Sequence, residues 1–293
     1  MPESVHKTRE GASNVKKTII VATGNQEKMV EIRQIITSKD IELITMKDAG
    51  VDIEIEETGA TFEENAILKA RAVAAASGCL AIADDSGLEV DAMPGELGIH
   101  SARWMGHDTS YDIKNAEIIR RVDAYCVQKE AGAGEMNHTE SSIQGTTSAE
   151  DDIQGTTSAE DDIQGTTSVE ADIQGTTSAE ESIQRAALAE FNMQGSRHPG
   201  CEADGTPGPM RSARFVCAVA AVWPDGRERT ARGVLEGRIY TEQKGFNGFG
   251  YDPIFYLPEY GTTSGDIPRE EKSRIRHRGQ AFRKLQAILE EEC

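Results

Sequence analysis

Thr61-Phe62-Glu63-Glu64-Asn65-Ala66-Ile67-Leu68-Lys69-Ala70-Arg71-Ala72-Val73-Ala74-Ala75-Ala76-Ser77-Gly78, followed one residue later by Leu80-Ala81-Ile82-Ala83-Asp84-Asp85-Ser86-Gly87, sets a helix directly before a buried strand. Thr61 and Glu64 have the spacing of a capping box. Phe62, Ala66, Ala70, Val73 and Ser77 recur at helical intervals, and Gly78 supplies the stop. Leu80–Ala83 is a short apolar run, as expected of a strand covered on both faces. Upstream, a strand over Thr18–Ala22 gives way to a turn at Thr23-Gly24-Asn25 and a helix from near Lys28. Downstream, Tyr111–Val127 has helical periodicity, and Phe215–Trp223 and Thr230–Ile239 flank the turn Pro224-Asp225-Gly226 as a hairpin. A closing helix runs from about Arg269 to Glu291, with Ile275, Phe282, Leu285 and Leu289 on one face. Strands alternating with helices predict an α/β fold with helices covering the faces of its sheet.

The chain has 293 residues, a hydrophobic share of 38% and a net charge of −19. Both the low hydrophobicity and the acidity trace to residues 130–196, where fourteen acidic side chains meet one basic residue, Arg185. The rest carries a net charge of only −6. Within that segment the decapeptide Ile143-Gln144-Gly145-Thr146-Thr147-Ser148-Ala149-Glu150-Asp151-Asp152 recurs in near-copies from Ile153, Ile163 and Ile173, with a fragment from Ile183. One apolar residue in ten cannot build a core, and the acidic charges repel, so disorder is the expectation. A short-repeat solenoid would need a regular apolar inward face, which one isoleucine per repeat hardly supplies. The expected organisation is a disordered tail (1–17), one discontinuous domain (18–128 and 212–292) and an acidic repeat insert (129–211).

An acidic balance argues against broad nucleic-acid or anionic-membrane binding, both of which need clustered positive charge. Cys79, Cys126, Cys201, Cys217 and Cys293 are scattered and form no CxxC pair, which speaks against a zinc site or a disulfide framework. The N-terminal residues lack the apolar core of a leader peptide, and the longest apolar run, Phe215–Trp223, is too short to span a bilayer. A soluble cytoplasmic protein is expected.

Four segments carry polar groups beyond the needs of packing. Thr23-Gly24-Asn25-Gln26-Glu27-Lys28 brings backbone N–H groups, a hydroxyl, an amide and an ammonium to a helix N-terminus, a seat for phosphate that lacks P-loop spacing. An ordinary strand–helix turn capped by Asn25 reads equally from those residues. Asp84-Asp85-Ser86 places two carboxylates at the end of a buried strand, where hard oxygens suit Mg²⁺ shared with substrate phosphates; a polar turn ending the strand is the plainer alternative. Glu54-Ile55-Glu56-Glu57 could add a ligand. Gly245-Phe246-Asn247-Gly248-Phe249-Gly250-Tyr251-Asp252 interleaves glycines with aromatics, a pattern that lets a ring stack on a base or that simply marks a loop with core aromatics. Lys272, Arg274, Arg276, His277 and Arg278 cluster as an anion site in an otherwise acidic protein, or as a solvated helix face.

Six ordered segments resemble the inosine triphosphate pyrophosphatase family, whose bacterial members are dITP/XTP pyrophosphatases. They are Ala22-Thr23-Gly24-Asn25 with Lys28, Glu57–Ala66, Ile82–Leu88, Ser101-Ala102-Arg103, Gly248–Pro253, and Glu271-Lys272-Ser273 with His277-Arg278-Gly279. The resemblance covers about 18–127 and 212–290. It implies one two-lobed domain on an elongated mixed β-sheet flanked by helices, a homodimer, and hydrolysis of ITP, dITP and XTP to the monophosphate and pyrophosphate with Mg²⁺. By the same resemblance Thr23, Asn25 and Lys28 hold phosphate within the segment that also contains Gly24, Gln26 and Glu27, and Lys69 reaches it. Asp85 is the catalytic carboxylate and, with Glu56, the metal site. Ser86 touches the substrate, Phe249 stacks on the purine beside Gly250, Tyr251 and Asp252 line the base pocket, and Lys272, His277 and Arg278 read the base.

Two departures from that family stand out. Arg276 occupies a position where the family commonly has serine, and the repeat insert, which could bind a partner of its own, replaces a short connection. The alternatives are a Maf-like nucleotide pyrophosphatase with another base preference, and a non-catalytic interaction protein working through the acidic repeat.

Overall fold

The computed structural model describes residues 16–139 and 198–292. The described residues fall into two units, 16–122 with 201–292, and 123–139 with 198–200. The first unit is built on a seven-stranded mixed sheet. In chain order its elements are β1 (Lys17–Val21), α1 (Gln26–Ile35), β2 (Ile41–Thr45), α2 (Phe62–Ser77), β3 (Ala81–Val90), the start of α3 (Tyr111–Thr139), β4 (Ser212–Val222), β5 (Glu228–Ile239), β6 (Phe255–Leu257), β7 (Thr262–Thr263), α4 (Arg269–Ile275) and α5 (His277–Glu291). The strands lie in the order β2-β1-β3-β4-β5-β6-β7. β1 runs parallel to both neighbours, and every pair from β3 onward is antiparallel.

Side chains alternate across a strand, so each strand contributes to two separate cores. Ile19 and Val21 of β1, Ile82 of β3 and Cys217, Val219 and Ala221 of β4 pack against Met29 and Ile32 of α1 and Phe282, Leu285 and Leu289 of α5. The intervening residues, Ile20, Ala81, Ala83, Ala220 and Val222, pack against Ala66, Ala70, Val73 and Ala74 of α2. Small residues on α2 bring that helix close to the sheet, and Ala66 and Ala70 are fully buried there.

The ends of α2 match the sequence reading. Thr61 Oγ1 accepts from the backbone N–H of Glu64 at 3.1 Å, and Glu64 Oε2 reaches back to the N–H of Ala60 at 2.7 Å. Such caps contribute about 1 kcal/mol. Gly78 closes the helix in the left-handed region, φ +66°, with its N–H on the carbonyl of Ala74 at 2.9 Å.

Elsewhere the structure departs from the expectation. β3 does not stop at Ala83 but runs on to Val90, ten residues in all, paired with β4 all the way, so Asp84 and Asp85 lie inside the strand. The expected closing helix is two helices, broken at Arg276, whose backbone is extended (φ −57°, ψ 143°). The helix expected to end at Val127 runs on to Thr139.

In the second unit the N–H of Gly200 donates to Glu130 Oε1 at 3.1 Å, and His198 Nδ1 lies 3.5 Å from Asp123 Oδ1. The expected insert thus begins inside α3, and its last residues include a β-bridge between Cys201 and Pro207 and a fully buried Arg211 that donates to the carbonyl of Ile239 at 2.8 Å. The expected N-terminal tail up to residue 15 and the decapeptide copies lie outside the described residues. No helix among the described residues is long and apolar enough to cross a membrane.

Candidate active site

The alternation of β3 decides where its two carboxylates go. Asp85 follows Ala83 onto the α2 face, and Asp84 follows Ile82 onto the face shared by α1 and α5. Each finds its own partners there. Asp84 Oδ2 receives Lys28 Nζ of α1 at 3.1 Å, Arg278 Nε of α5 at 3.3 Å and the hydroxyl of Ser86 at 3.1 Å. Arg278 also donates to Glu31 Oε2 at 2.6 Å and to Ser86 Oγ at 3.2 Å. Burial alone would raise the Asp84 carboxyl, but Lys28 and Arg278 together hold it well below the usual carboxylate range. Asp84 is therefore an ionised anchor at neutral pH that aims two cations.

Asp85 meets different company. Asn65 Nδ2 of α2 donates to Oδ2 at 3.1 Å, and Lys69 Nζ lies 3.4 Å from Oδ1. The same ammonium is 2.7 Å from Glu57 Oε1, whose other oxygen is 3.5 Å from Arg103 Nη1. Burial pushes the Asp85 carboxyl up and the charge of Glu57 adds to the effect, outweighing the opposing pull of Lys69 and Asn65. Lys69 moves up as well: burial would lower it, but Asp85 and Glu57 more than offset that. Lys69 thus bridges two carboxylates in a partly buried cluster.

Glu57, and not the expected Glu56, holds the second carboxylate position. Glu56 is exposed and makes no ion pair or hydrogen bond among the described residues, whereas Glu57 is partly buried and meets Lys69. No group of three or more His, Cys, Asp or Glu side chains is assembled for a metal among the described residues. A cation here would rest on two carboxylates and need oxygens from a ligand, a pattern that suits Mg²⁺. Two hard carboxylates already sharing one ammonium fit such an ion.

The Thr23–Lys28 turn lies between two cavities. Thr23 Oγ1 accepts from the N–H of Asn25 at 3.2 Å, and Asn25 Oδ1 accepts from the N–H of Lys28 at 3.2 Å, so the first turn of α1 is capped by its own loop. Thr23, Gly24 and Gln26 line one cavity, of about 750 Å³, together with Lys69. Asn25 and Lys28 line another, of about 250 Å³, whose wall also includes Ser86, Phe249, Gly250, Tyr251, Asp252, His277 and Arg278. The expected residues of the base pocket therefore gather in one place, apart from Lys272, which lines the adjoining cavity of about 400 Å³ with Asn25, Lys28 and Phe249. Glu27 is the second residue of α1.

Asp252 organises the far wall. Its Oδ2 accepts from Lys272 Nζ at 3.0 Å, Arg276 Nη2 at 2.8 Å and the N–H of Phe249 at 3.3 Å, and its Oδ1 accepts from Ser264 Oγ at 2.9 Å. Lys272 also donates to the carbonyl of Asn247. Burial lowers the Lys272 ammonium although Asp252 opposes it. Gly248 must be glycine: a Cβ there would stand 2.3 Å from Asp252 Oδ2 and 2.7 Å from Lys272 Nζ.

His277 is half-buried and stacks on the ring of Phe215, with centroids 5.1 Å apart and planes 16° from parallel. Burial and the neighbouring Arg278 and Arg276 hold it far below the usual imidazole range, so it is neutral. Its Nδ1 has no hydrogen-bond partner among the described residues.

Residues that sequence reasoning missed pin this wall to the rest of the unit. Tyr251 Oη donates to the carbonyl of Ser101 at 2.5 Å, and Tyr111 packs edge-on to its ring at 5.1 Å. Asn115 Nδ2 of α3 donates to the carbonyl of Gly250 at 3.1 Å, and the neighbouring Lys114 Nζ to that of Ala102 at 3.1 Å. Gly87 lets β3 approach the Gly98–Ser101 turn, where a Cβ would stand 2.2 Å from the carbonyl of Gly98. Only the adjacent polar pair Lys114-Asn115 within an otherwise amphipathic helix hinted at this in the sequence.

A family model described as the Ham1 family matches residues 19–189 and 201–288. The dITP/XTP pyrophosphatase of Exiguobacterium sibiricum is 33% identical over 271 residues, covering 92% of this chain and 96% of that protein. That of Nitratidesulfovibrio vulgaris is 34% identical, covering 92% and 94%. Among solved structures, the Staphylococcus aureus Ham1 protein superposes with a TM-score of 0.57 at 30% identity, covering 94% of this chain and all of that one. A HAM1 protein from Coxiella burnetii superposes with a TM-score of 0.58 at 28% identity, covering 94% and 99%.

Proposed function

The chain belongs to the Ham1 family, and on that premise we propose that it hydrolyses non-standard purine nucleoside triphosphates (ITP, dITP and XTP) to the monophosphate and pyrophosphate, clearing them from the nucleotide pool. The observation that carries this reading is the position of the Thr23–Lys28 turn between the cavity of Lys69 and the cavity of Phe249, Tyr251, His277 and Arg278. A triphosphate seated on the turn has cations on either side, Lys69 and Lys28, while its purine has an aromatic ring and buried donors ahead of it.

Asp85 is the group suited to take a proton from the attacking water. Burial and the charge of Glu57 raise its basicity, as a general base working near neutral pH requires. Water oxygen bonds to the α-phosphorus, the bond from that phosphorus to the bridging oxygen breaks, pyrophosphate leaves with the electron pair, and the water proton passes to Asp85. Asn65 and Lys69 hold the carboxylate in place through this step. Mg²⁺ would be held by Asp85 and Glu57 and would supply neutralisation of the triphosphate charge.

In the base cavity, Arg278 is aimed by Asp84, and His277 leaves a ring nitrogen unpaired. Donors facing a 6-oxo group would confront the 6-amino group of adenine with further donors. Each buried donor left unpaired costs about 1–3 kcal/mol, enough to reject ATP and dATP. A homodimer in the cytoplasm belongs to the same reading, as does the division into one discontinuous catalytic domain and an acidic insert that takes no part in turnover.

The test is pyrophosphate release from dITP, XTP and dATP, with Mg²⁺ and with EDTA. Mg²⁺-dependent release from dITP and XTP but not dATP is expected. Release from none of them by folded protein would sink the assignment.

A further inference from the structure

The cations around the base cavity are not equally committed. Lys28 is held by Asp84. Arg278 is held by Asp84, Glu31 and Ser86. Lys272 is held by Asp252 and the carbonyl of Asn247, and its side chain is 3% exposed. Those three cations face three carboxylates, Asp84, Glu31 and Asp252, so they are already neutralised. Arg276 is the surplus. Its side chain makes one hydrogen bond among the described residues, Nη2 to an Asp252 oxygen that already accepts from Lys272 and from the N–H of Phe249. Its other N–H groups have no partner among the described residues. Its guanidinium carbon lies over the ring of Phe249, 5.5 Å from the centroid, and Phe249 itself is 62% exposed.

The break between α4 and α5 makes this placement possible. With Arg276 extended, α5 begins afresh at His277, and Arg276 lines the cavity beside His277 and Arg278. In one continuous helix three successive residues would point in three directions 100° apart.

From this arrangement we propose that Arg276 is a specificity-determining residue that favours purines rich in carbonyl groups, xanthine above hypoxanthine; the inference rests on the purine lying at Phe249, as proposed above. A guanidinium with unused N–H groups offers the planar fork that pairs with oxygen and nitrogen acceptors on a purine edge. Xanthine has two ring carbonyls where hypoxanthine has one, and the second makes its ring the more acidic, so it carries partial negative charge near neutral pH. A cation that shares its one carboxylate with Lys272 leaves net positive charge at the base and discriminates in its favour on both counts. Adenine, with an amino group on that edge, gains nothing from it.

The test compares kcat/KM for XTP and dITP in the wild type, Arg276→Gln and Arg276→Lys. Arg276→Gln removes the charge and keeps a neutral amide, and the XTP-to-dITP ratio should fall about tenfold, the loss of one good bidentate contact. Arg276→Lys keeps charge without the fork, and its ratio should lie between the two. An unchanged ratio in Arg276→Gln, whatever its absolute activity, would overturn the proposal. A variant that loses activity on both substrates equally makes Arg276 a general packing residue and overturns it too. Failure of the wild type to release pyrophosphate from either substrate would instead remove the functional reading beneath it, a result distinct from an unchanged ratio.

Discussion

Lys69 spans from the second helix to Glu57, 2.7 Å away, and brings a carboxylate from an irregular segment to within reach of the strand that bears Asp85. The consequence is a difference between two adjacent glutamates. Glu57→Gln should raise the Mg²⁺ concentration needed for half-maximal pyrophosphate release by at least about 10–100-fold, the loss seen even when only a ligand's supporting partner is removed. Glu56→Gln, at an exposed position, should stay within about twofold of wild type. The reverse order in a Mg²⁺ titration would return the metal site to Glu56.

Asp85→Asn should lose about 10²–10⁴-fold in turnover, the range for a general base. It should also melt at or above the wild-type temperature at neutral pH. The folded Asp85 carboxyl is raised above its unfolded value. Its stabilising contribution is therefore complete below the unfolded value, about 3.9, and is lost as pH rises through the folded one. At neutral pH the ionised group works against folding, and an amide removes that burden. Calorimetry beside the activity assay checks both halves, and a large drop in Tm would show Asp85 to be structural.

Asp84 behaves in the opposite sense. Lys28 and Arg278 depress its folded value despite burial, so its contribution is present above the unfolded value of about 3.9 and is lost as pH falls through the folded one. Asp84→Asn should cost about 3–5 kcal/mol at neutral pH by stranding buried cations. The gap between variant and wild type should narrow in strong acid. Urea unfolding at neutral and at low pH measures the gap, and a constant difference would contradict the assignment.

Gly248→Ala places a methyl group 2.3 Å from Asp252 Oδ2, on the oxygen that orders Phe249, Lys272 and Arg276. Overpacking of this kind costs about 1–3 kcal/mol. The wall of the base cavity should take up the strain, so KM should rise more than kcat falls. Steady-state kinetics with dITP decides; an unaltered KM would place the nucleotide elsewhere.

Much of the sheet and the second helix were legible in local pattern: capping residues, helical spacing, short apolar runs and a hairpin turn. The grouping of Phe249, Tyr251, His277 and Arg278 came from the family resemblance, since local pattern marked only two separate segments. What escaped was set by tertiary geometry. Ile41–Thr45 is a strand only because it pairs with β1, and Phe255–Leu257 and Thr262–Thr263 are too short to show a period. Asp84 and Asp85 read as a strand end because charge seldom continues a buried strand, yet cations on both faces allow it. Apolar periodicity carries straight through Arg276, so nothing local marked the break between the last two helices. In the run Glu54-Ile55-Glu56-Glu57, composition cannot say which glutamate turns inward.

The alternation of β3 also makes the two tasks of the site separable. One peptide step sends Asp84 to the face of the first and last helices and Asp85 to the face of the second, and the sheet stands between those helices. On the function proposed above, base reading falls to the first face and water activation to the second. Selection can therefore retune recognition through the first and last helices without re-optimising hydrolysis on the second. In such a protein, changes of base preference and changes of rate should multiply as independent factors. New substrate ranges can then arise by substitutions on one face alone, with the chemistry inherited unchanged on the other.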